Sequence, residues 1–214
     1  MRQLVAMLER YRWAGRSLLL ILIAVALCAL AISEGDRPLA GAVNRDATPA
    51  LVELANALIA MTFPAALVVV AVLVHQVNVP VGRNLQRKGD IQYALVALSA
   101  ALAAGCAEIL KLIFGRTGPK AYLADGVYGF AYLKGSMGLS SFPSAYAASV
   151  GAIAAALWMI VPPYRPTVIF LTALAIGCQV VSGSHFLSDQ IAGLTIGWCV
   201  FETMRRSAVL SKPN

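Results

Sequence analysis

His185 and Asp189 are the pair in this chain best suited to chemistry. Four residues apart at a helix start, they share one face. A carboxylate at hydrogen-bond distance fixes an imidazole tautomer and raises the ring's basicity. The other ring nitrogen is then free to attack phosphorus or to move a proton. The same spacing also suits an interfacial histidine capped by a helix-start acid, so the pair alone leaves both readings open. A second polar segment, Phe142-Pro143-Ser144-Ala145-Tyr146, opens an apolar stretch. Serine is a favoured N-cap, and the free N–H groups of a helix start attract anions. The third segment runs from Lys111 through Arg116 to Pro119, with Lys120 just beyond. Arg116 and Lys120 can grip phosphate oxygens. Lys111 has Glu108 one turn earlier, so it either neutralises that acid and snorkels or adds charge to a site. His75 has no acid nearby and reads as structural or interfacial.

The elements that must position these residues are membrane helices. Of the 214 residues 59% are hydrophobic and 13% charged, against about 25% charged in a soluble domain. The chain reads as an all-α, polytopic membrane protein forming one domain over residues 1–214. Six apolar stretches approach the roughly 20 residues a spanning helix needs, at about 17–33, 56–79, 91–114, 142–161, 166–182 and 187–204. Arg2, Arg10, Arg12 and Arg16, then Arg83, Arg87 and Lys88, then Arg165, then Arg205, Arg206 and Lys212 place both termini in the cytoplasm. This bias accounts for the net charge of +7 without a nucleic-acid partner. The first loop, with Glu34, Asp36, Arg37, Arg45 and Asp46, is balanced and is expected outside. Cys28, Cys106, Cys178 and Cys199 fall in apolar stretches without a metal or redox spacing. No metal site or cofactor is expected.

That topology brings the three polar segments to the outer ends of their helices, at similar depth. It leaves one anomaly. The third loop should be poor in positive charge, yet it holds Lys111, Arg116, Lys120 and Lys134 against Asp125 alone. An anionic ligand on the outer face explains the surplus. Ala147, Gly151 and Ala155, and Gly193 and Gly197, recur at every fourth position and should let helices approach closely.

Taken together, the three segments resemble the signature motifs of the type-2 phosphatidic acid phosphatase superfamily, the integral-membrane relatives of vanadium haloperoxidases. The resemblance covers roughly residues 90–205. It implies a six-helix layout and a metal-independent dephosphorylation of lipid phosphates or diphosphates through a phosphohistidine. On that resemblance Lys111 is the first-motif lysine on the phosphate, and Pro119 closes that motif. Ser144, with backbone amides that include that of Ala145, holds phosphate oxygens. His185 is the nucleophile and Asp189 orients it.

Three positions depart from the pattern. Gly118 stands where the first motif has arginine, with Arg116 two residues earlier. Tyr146 replaces the second-motif histidine, the leaving-group acid. Cys178-Gln179 replaces the Ser-Arg that opens the third motif. One oxyanion donor is worth about 10²–10³ in rate, and a general acid about 10²–10⁴. Arg116, Lys120 or Lys134 can return positive charge, Gln179 can donate a neutral hydrogen bond, and Tyr146 can protonate a leaving oxygen. The expectation is therefore a lipid phosphate or diphosphate phosphatase or phosphotransferase with an altered, outward-facing site, in a bacterial inner membrane. The alternative is a non-catalytic relative that binds or helps move a lipid phosphate. A small transporter with coincidental motifs is a more distant third reading.

Overall fold

The structure, a computed structural model, describes residues 2–62, 83–134 and 140–210. Helix α1 (Arg2–Leu30) runs through one π turn (Ala31–Gly35) into α2 (Asp36–Asp46). Pro38 supplies a physical reason for the widened turn: it cannot donate to the Glu34 carbonyl, and its ring crowds that carbonyl in a regular α-helix. Thr48 then caps α3 (Pro49–Thr62), accepting from the Leu51 amide at 3.3 Å. The segment expected as an open outer loop around Glu34–Asp46 is thus helical, with acids in its first turn and Arg45 in its last.

Helix α4 (Arg83–Phe114) stops at Gly115, whose φ of +54° suits a residue without Cβ. Residues 113–117 pair antiparallel with 129–133, through Ala131 N–H to the Gly115 carbonyl and Leu133 N–H to the Ile113 carbonyl, both 2.9 Å. Between them lies the short α5 (Pro119–Asp125), started by proline and ended by left-handed Gly126. Helix α6 (Ala145–Ile160) follows the cis Phe142–Pro143 peptide and is capped by Ser144. Pro162 and Pro163 turn the chain into α7 (Arg165–Val181), and α8 (Leu187–Leu210) ends the described chain.

Helices α4, α6 and α8 share a core of small residues: Ala103, Ala107, Ala148, Ala152, Ala155 and Ala156, closed by Val96 and Phe201. The two small-residue stripes prove to be each other's partners. A Cβ added at Gly151 would collide with the Leu194 backbone, and one at Gly197 with the Ala148 carbonyl. Backbone thus packs on backbone between α6 and α8. The opposite surfaces are apolar and bare: Leu22, Val25 and Leu30 on α1, Ile109 and Leu112 on α4, Ile169 and Phe170 on α7. Three described helical stretches, Ser17–Asp46, Leu95–Phe114 and Pro162–Val181, are long and apolar enough to cross a bilayer. Their bare surfaces face lipid rather than water, and the protein is an integral membrane protein. The second expected span, His75 and the arginines of the second loop lie wholly or largely outside the described side chains.

Candidate active site

One end of the bundle gathers the start of α2, the α4–α5 turn, the approach to α6 and the α7–α8 turn. Arg116 stands at its centre, fully buried with its side chain at 0% exposure. Its Nη1 donates to Asp189 Oδ1 and Ser188 Oγ, each at 2.5 Å. Its Nη2 donates to Asp36 Oδ2 at 2.7 Å and to the Tyr128 hydroxyl at 2.8 Å. The rings of Phe186, Phe130 and Tyr128 lie 4.7, 5.0 and 5.2 Å from its Cζ. Burial alone would lower the arginine's pKa. The Asp189 charge and the Asp36 hydrogen bond outweigh burial and hold it above the ordinary value. The sequence reading gave Arg116 to the phosphate. In the structure its terminal nitrogens are taken up behind the histidine, because two acids and an aromatic box compete for the same guanidinium.

His185 is held from a different quarter than expected. Its Nδ1 lies 2.9 Å from the Ser141 carbonyl and 3.7 Å from Asp189 Oδ2. A carbonyl can only accept, so Nδ1 carries the hydrogen, and the tautomer this bond selects has its lone pair on Nε2. Asp189 acts on the loop that carries this carbonyl: its Oδ2 accepts from Ser141 Oγ at 2.5 Å and from the Phe186 amide at 2.8 Å. The Ser144 amide in turn donates to the Asp189 carbonyl at 3.0 Å.

A cavity of about 220 Å³ opens beside His185. Its polar rim includes Lys120, Ser182, Asn44 and Asp36, and its apolar wall includes Leu39, Val43, Val52 and Leu123. Lys120 is exposed and packs over Gly183, where a Cβ would stand 3.7 Å from the lysine Cε. Among the described residues its ammonium has no hydrogen-bond or ion-pair partner. Lys111, by contrast, is spent on Glu108 at 2.7 Å.

The remaining expected site residues divide. Ser144 is fully buried, and its Oγ accepts from the Ala147 amide at 3.2 Å; Ala145 opens the helix behind it. The Tyr146 hydroxyl donates to Thr62 Oγ1 at 2.7 Å, toward α3. Gln179 is buried with its Oε1 unpartnered, and its carbonyl accepts from Ser182 Oγ and the Ser184 amide, shaping the turn into His185. Lys134 is exposed and takes no part in the cavity wall. Sequence reasoning missed Asp36, Tyr128, Ser141 and Ser188. Among the described residues no three His, Cys, Asp or Glu side chains converge closely enough to hold a metal ion.

An all-helical membrane protein with a histidine, a buried acid and an unpaired lysine gathered at one end of its bundle is the class that fold and site define. Residues 92–209 match the PAP2 superfamily, and the chain belongs to that family. It is 36% identical over 91 residues to a lipid A 1-phosphatase of Rhizobium johnstonii, covering 42% of this chain and 37% of that protein. It is 33% identical over 109 residues to a lipid A 1-phosphatase of Rhizobium etli, covering 51% of this chain and 45% of that protein. The match thus spans less than half the length of each relative. The fold resembles a solved transmembrane PAP2-type phosphatidylglycerolphosphate phosphatase from Bacillus subtilis, with a TM-score of 0.56 at 17% identity over 92% of this chain and 97% of that one.

Proposed function

We propose that this protein is a lipid phosphate or diphosphate phosphatase or phosphotransferase working through His185. The observation that carries the reading is that His185, with its Nδ1 anchored on Ser141, and the unpaired Lys120 border one cavity. In the proposed step Nε2 attacks phosphorus. The bond from phosphorus to the leaving oxygen breaks, and the phosphoryl group passes to the ring. Water, or an acceptor hydroxyl in a phosphotransferase, then takes the phosphoryl group from the histidine. The buried cluster of Asp36, Arg116 and Asp189 holds two carboxylates against one guanidinium. Its surplus negative charge suits a ring that becomes cationic as Nε2 bonds to phosphorus. Lys120, on the cavity wall, would steady the phosphoryl oxygens; the start of α6, with Ser144 and Ala145, does not line this cavity.

Among the described residues no strong acid is placed for the leaving oxygen, and Tyr146 is a phenol bonded to Thr62. This favours a diphosphate, whose departing phosphate is a stable anion, over a lipid monoester. The basic residues at helix ends support six spans with both termini cytoplasmic. The site then faces the periplasm or exterior of a bacterial inner membrane, within one domain whose phosphatase-like core covers about residues 90–205.

The test is phosphate release by the full chain in lipid, from a panel of lipid monophosphates and diphosphates that includes lipid A, with His185→Ala as control. Turnover lost in His185→Ala supports the enzyme, and turnover that persists removes His185 as nucleophile. Monophosphates cleaved as fast as diphosphates would sink the substrate preference. A second reading, a binder without turnover, draws on the structure's own economy of cations: Arg116 and Lys111 are paired, which leaves Lys120 alone at the cavity. Saturable binding of lipid phosphate with no phosphate release, in wild type and His185→Ala alike, would establish it.

A further inference from the structure

We infer that Asp36 is a positioning residue for His185, acting from the start of α2 through Arg116 and the start of α8. The inference deepens the reading of His185 as the reactive group. Asp36 opens α2 directly after the π turn, and its side chain is wholly buried. No signature motif includes it, yet it ties the start of α2 to Arg116 and to the start of α8. Its Oδ1 accepts from the Ser188 amide at 3.1 Å, capping a free N–H of α8. Its Oδ2 accepts from Ser188 Oγ at 2.5 Å and from Arg116 at 2.7 Å. The Tyr128 hydroxyl closes the group: it accepts from Arg116 and donates to the Ile32 carbonyl of the π turn at 2.8 Å. Burial pushes the phenol's pKa up, ahead of the opposing pull of Arg116, so the hydroxyl keeps its proton for that bond.

The connected path runs from Asp36 to Arg116, to Asp189, to Ser141 and to His185 Nδ1. Every link is a hydrogen bond of 2.9 Å or less. If Asp36 loses its charge, Nη2 of Arg116 loses its acid and the guanidinium is free to swing toward Asp189. The Ser141 carbonyl then moves and the imidazole turns with it. Asparagine keeps the Oδ1 that caps α8, so the change addresses the arginine side of the carboxylate.

The experiment is nuclear magnetic resonance of the full chain with isotope-labelled histidine in lipid nanodiscs. The chain has two histidines, so His75→Gln assigns the spectrum. Asp36→Asn is expected to shift or abolish the hydrogen-bonded Nδ1 proton signal of His185 while the helical content is retained. Where the wild type turns over, kcat is expected to fall about 100-fold at a KM within twofold, the cost of a group displaced by about 1 Å. Ser188→Ala, which removes the hydroxyl between Asp36 and Arg116, is the second variant and decides the matter if Asp36→Asn does not fold. A folded variant whose His185 signals match those of the wild type overturns the inference. The spectroscopic readout needs no turnover, so an inactive wild type would count against the proposed function and leave this inference to be judged by the spectrum.

Discussion

Replacing Arg116 by methionine is the sharpest test of the buried cluster. Methionine keeps much of the stem's volume and packing but removes the charge and four hydrogen bonds, to Ser188, Asp189, Asp36 and Tyr128. Asp36 and Asp189 would then face each other across a dry pocket, both with side chains at 0% exposure. Removing one partner of a buried ion pair costs about 3–5 kcal/mol, because the charge left behind is uncompensated. Here one arginine serves two acids, so the upper end applies, about 5 kcal/mol. A protein of this size loses about 2–4 °C in Tm per kcal/mol. Arg116→Met should therefore melt about 10–20 °C below wild type.

The chain carries its own reporter. Cys28 is buried, and its thiol donates to the Ser188 carbonyl at 3.5 Å. Its reaction with a thiol-reactive dye during a thermal ramp reads the opening of the cluster. Cys106, Cys178 and Cys199 are first changed to alanine, so that Cys28 is the one thiol the dye can reach. Adding Asp36→Asn to Arg116→Met removes one of the stranded charges and should recover about 2 kcal/mol of the loss. Two results would refute the reasoning: a drop under about 4 °C in the single variant, or further destabilisation in the double variant. Either would mean that the two acids do not depend on Arg116 for their charge.

Two further predictions concern the cavity and the helix contact. Lys120→Gln should weaken binding of a fluorescent lipid phosphate by about tenfold or more, since a charge-assisted hydrogen bond is worth about 1.5–3 kcal/mol. Lys111→Gln, whose cation is spent on Glu108, should change Kd less than twofold, and equal losses would remove Lys120 as the specific contact. Gly197→Val should cost about 3 kcal/mol or more, because the new carbons meet the Ala148 carbonyl across α6 and α8; an unchanged Tm would show that the two backbones do not pack this closely.

Much of the framework was legible in the chain. The small residues of α6 and α8 announced close approach, and the structure shows them to be one contact. The spacing of His185 and Asp189 put both on the same turn, whereas of the surplus basic residues Lys111 pairs with Glu108, Arg116 with two buried acids, and Lys120 alone of the four lines the cavity. What escaped was set by tertiary pairing. Asp36 follows a long apolar helix and looked like an ordinary polar residue outside the membrane; its partner Arg116 is 80 positions away. Ser141 holds His185 through a backbone carbonyl, which leaves no side-chain signature. Arg116 beside a motif proline gives the same sequence signal whether it faces a phosphate or the core.

The candidate site divides physically into two halves, and they differ in how many groups they hold. The half that the proposed function gives to phosphate is thin: Gly118 and Gln179 stand where the family resemblance expects cations, the Tyr146 hydroxyl bonds to Thr62 of α3, and among the described residues Lys120 is the unpaired cation at the cavity. The half that orients the imidazole is dense: Ser141, Asp189, Arg116, Ser188, Asp36 and Tyr128 are joined by hydrogen bonds through both terminal nitrogens of the guanidinium, with the buried Arg116 Nε left over. Such a cluster is expensive to bury, and an apolar core of the same volume would be at least as stable. Stability alone therefore gives no reason for it. A protein that only bound a lipid phosphate would need cations at the cavity and would gain nothing from a fixed imidazole tautomer. On the proposed function, an imidazole anchored through Nδ1 keeps its Nε2 lone pair available for bonding to phosphorus. On that reading the buried orienting cluster favours chemistry over binding, and the sparse cations at the cavity favour a substrate that needs little help in shedding its leaving group.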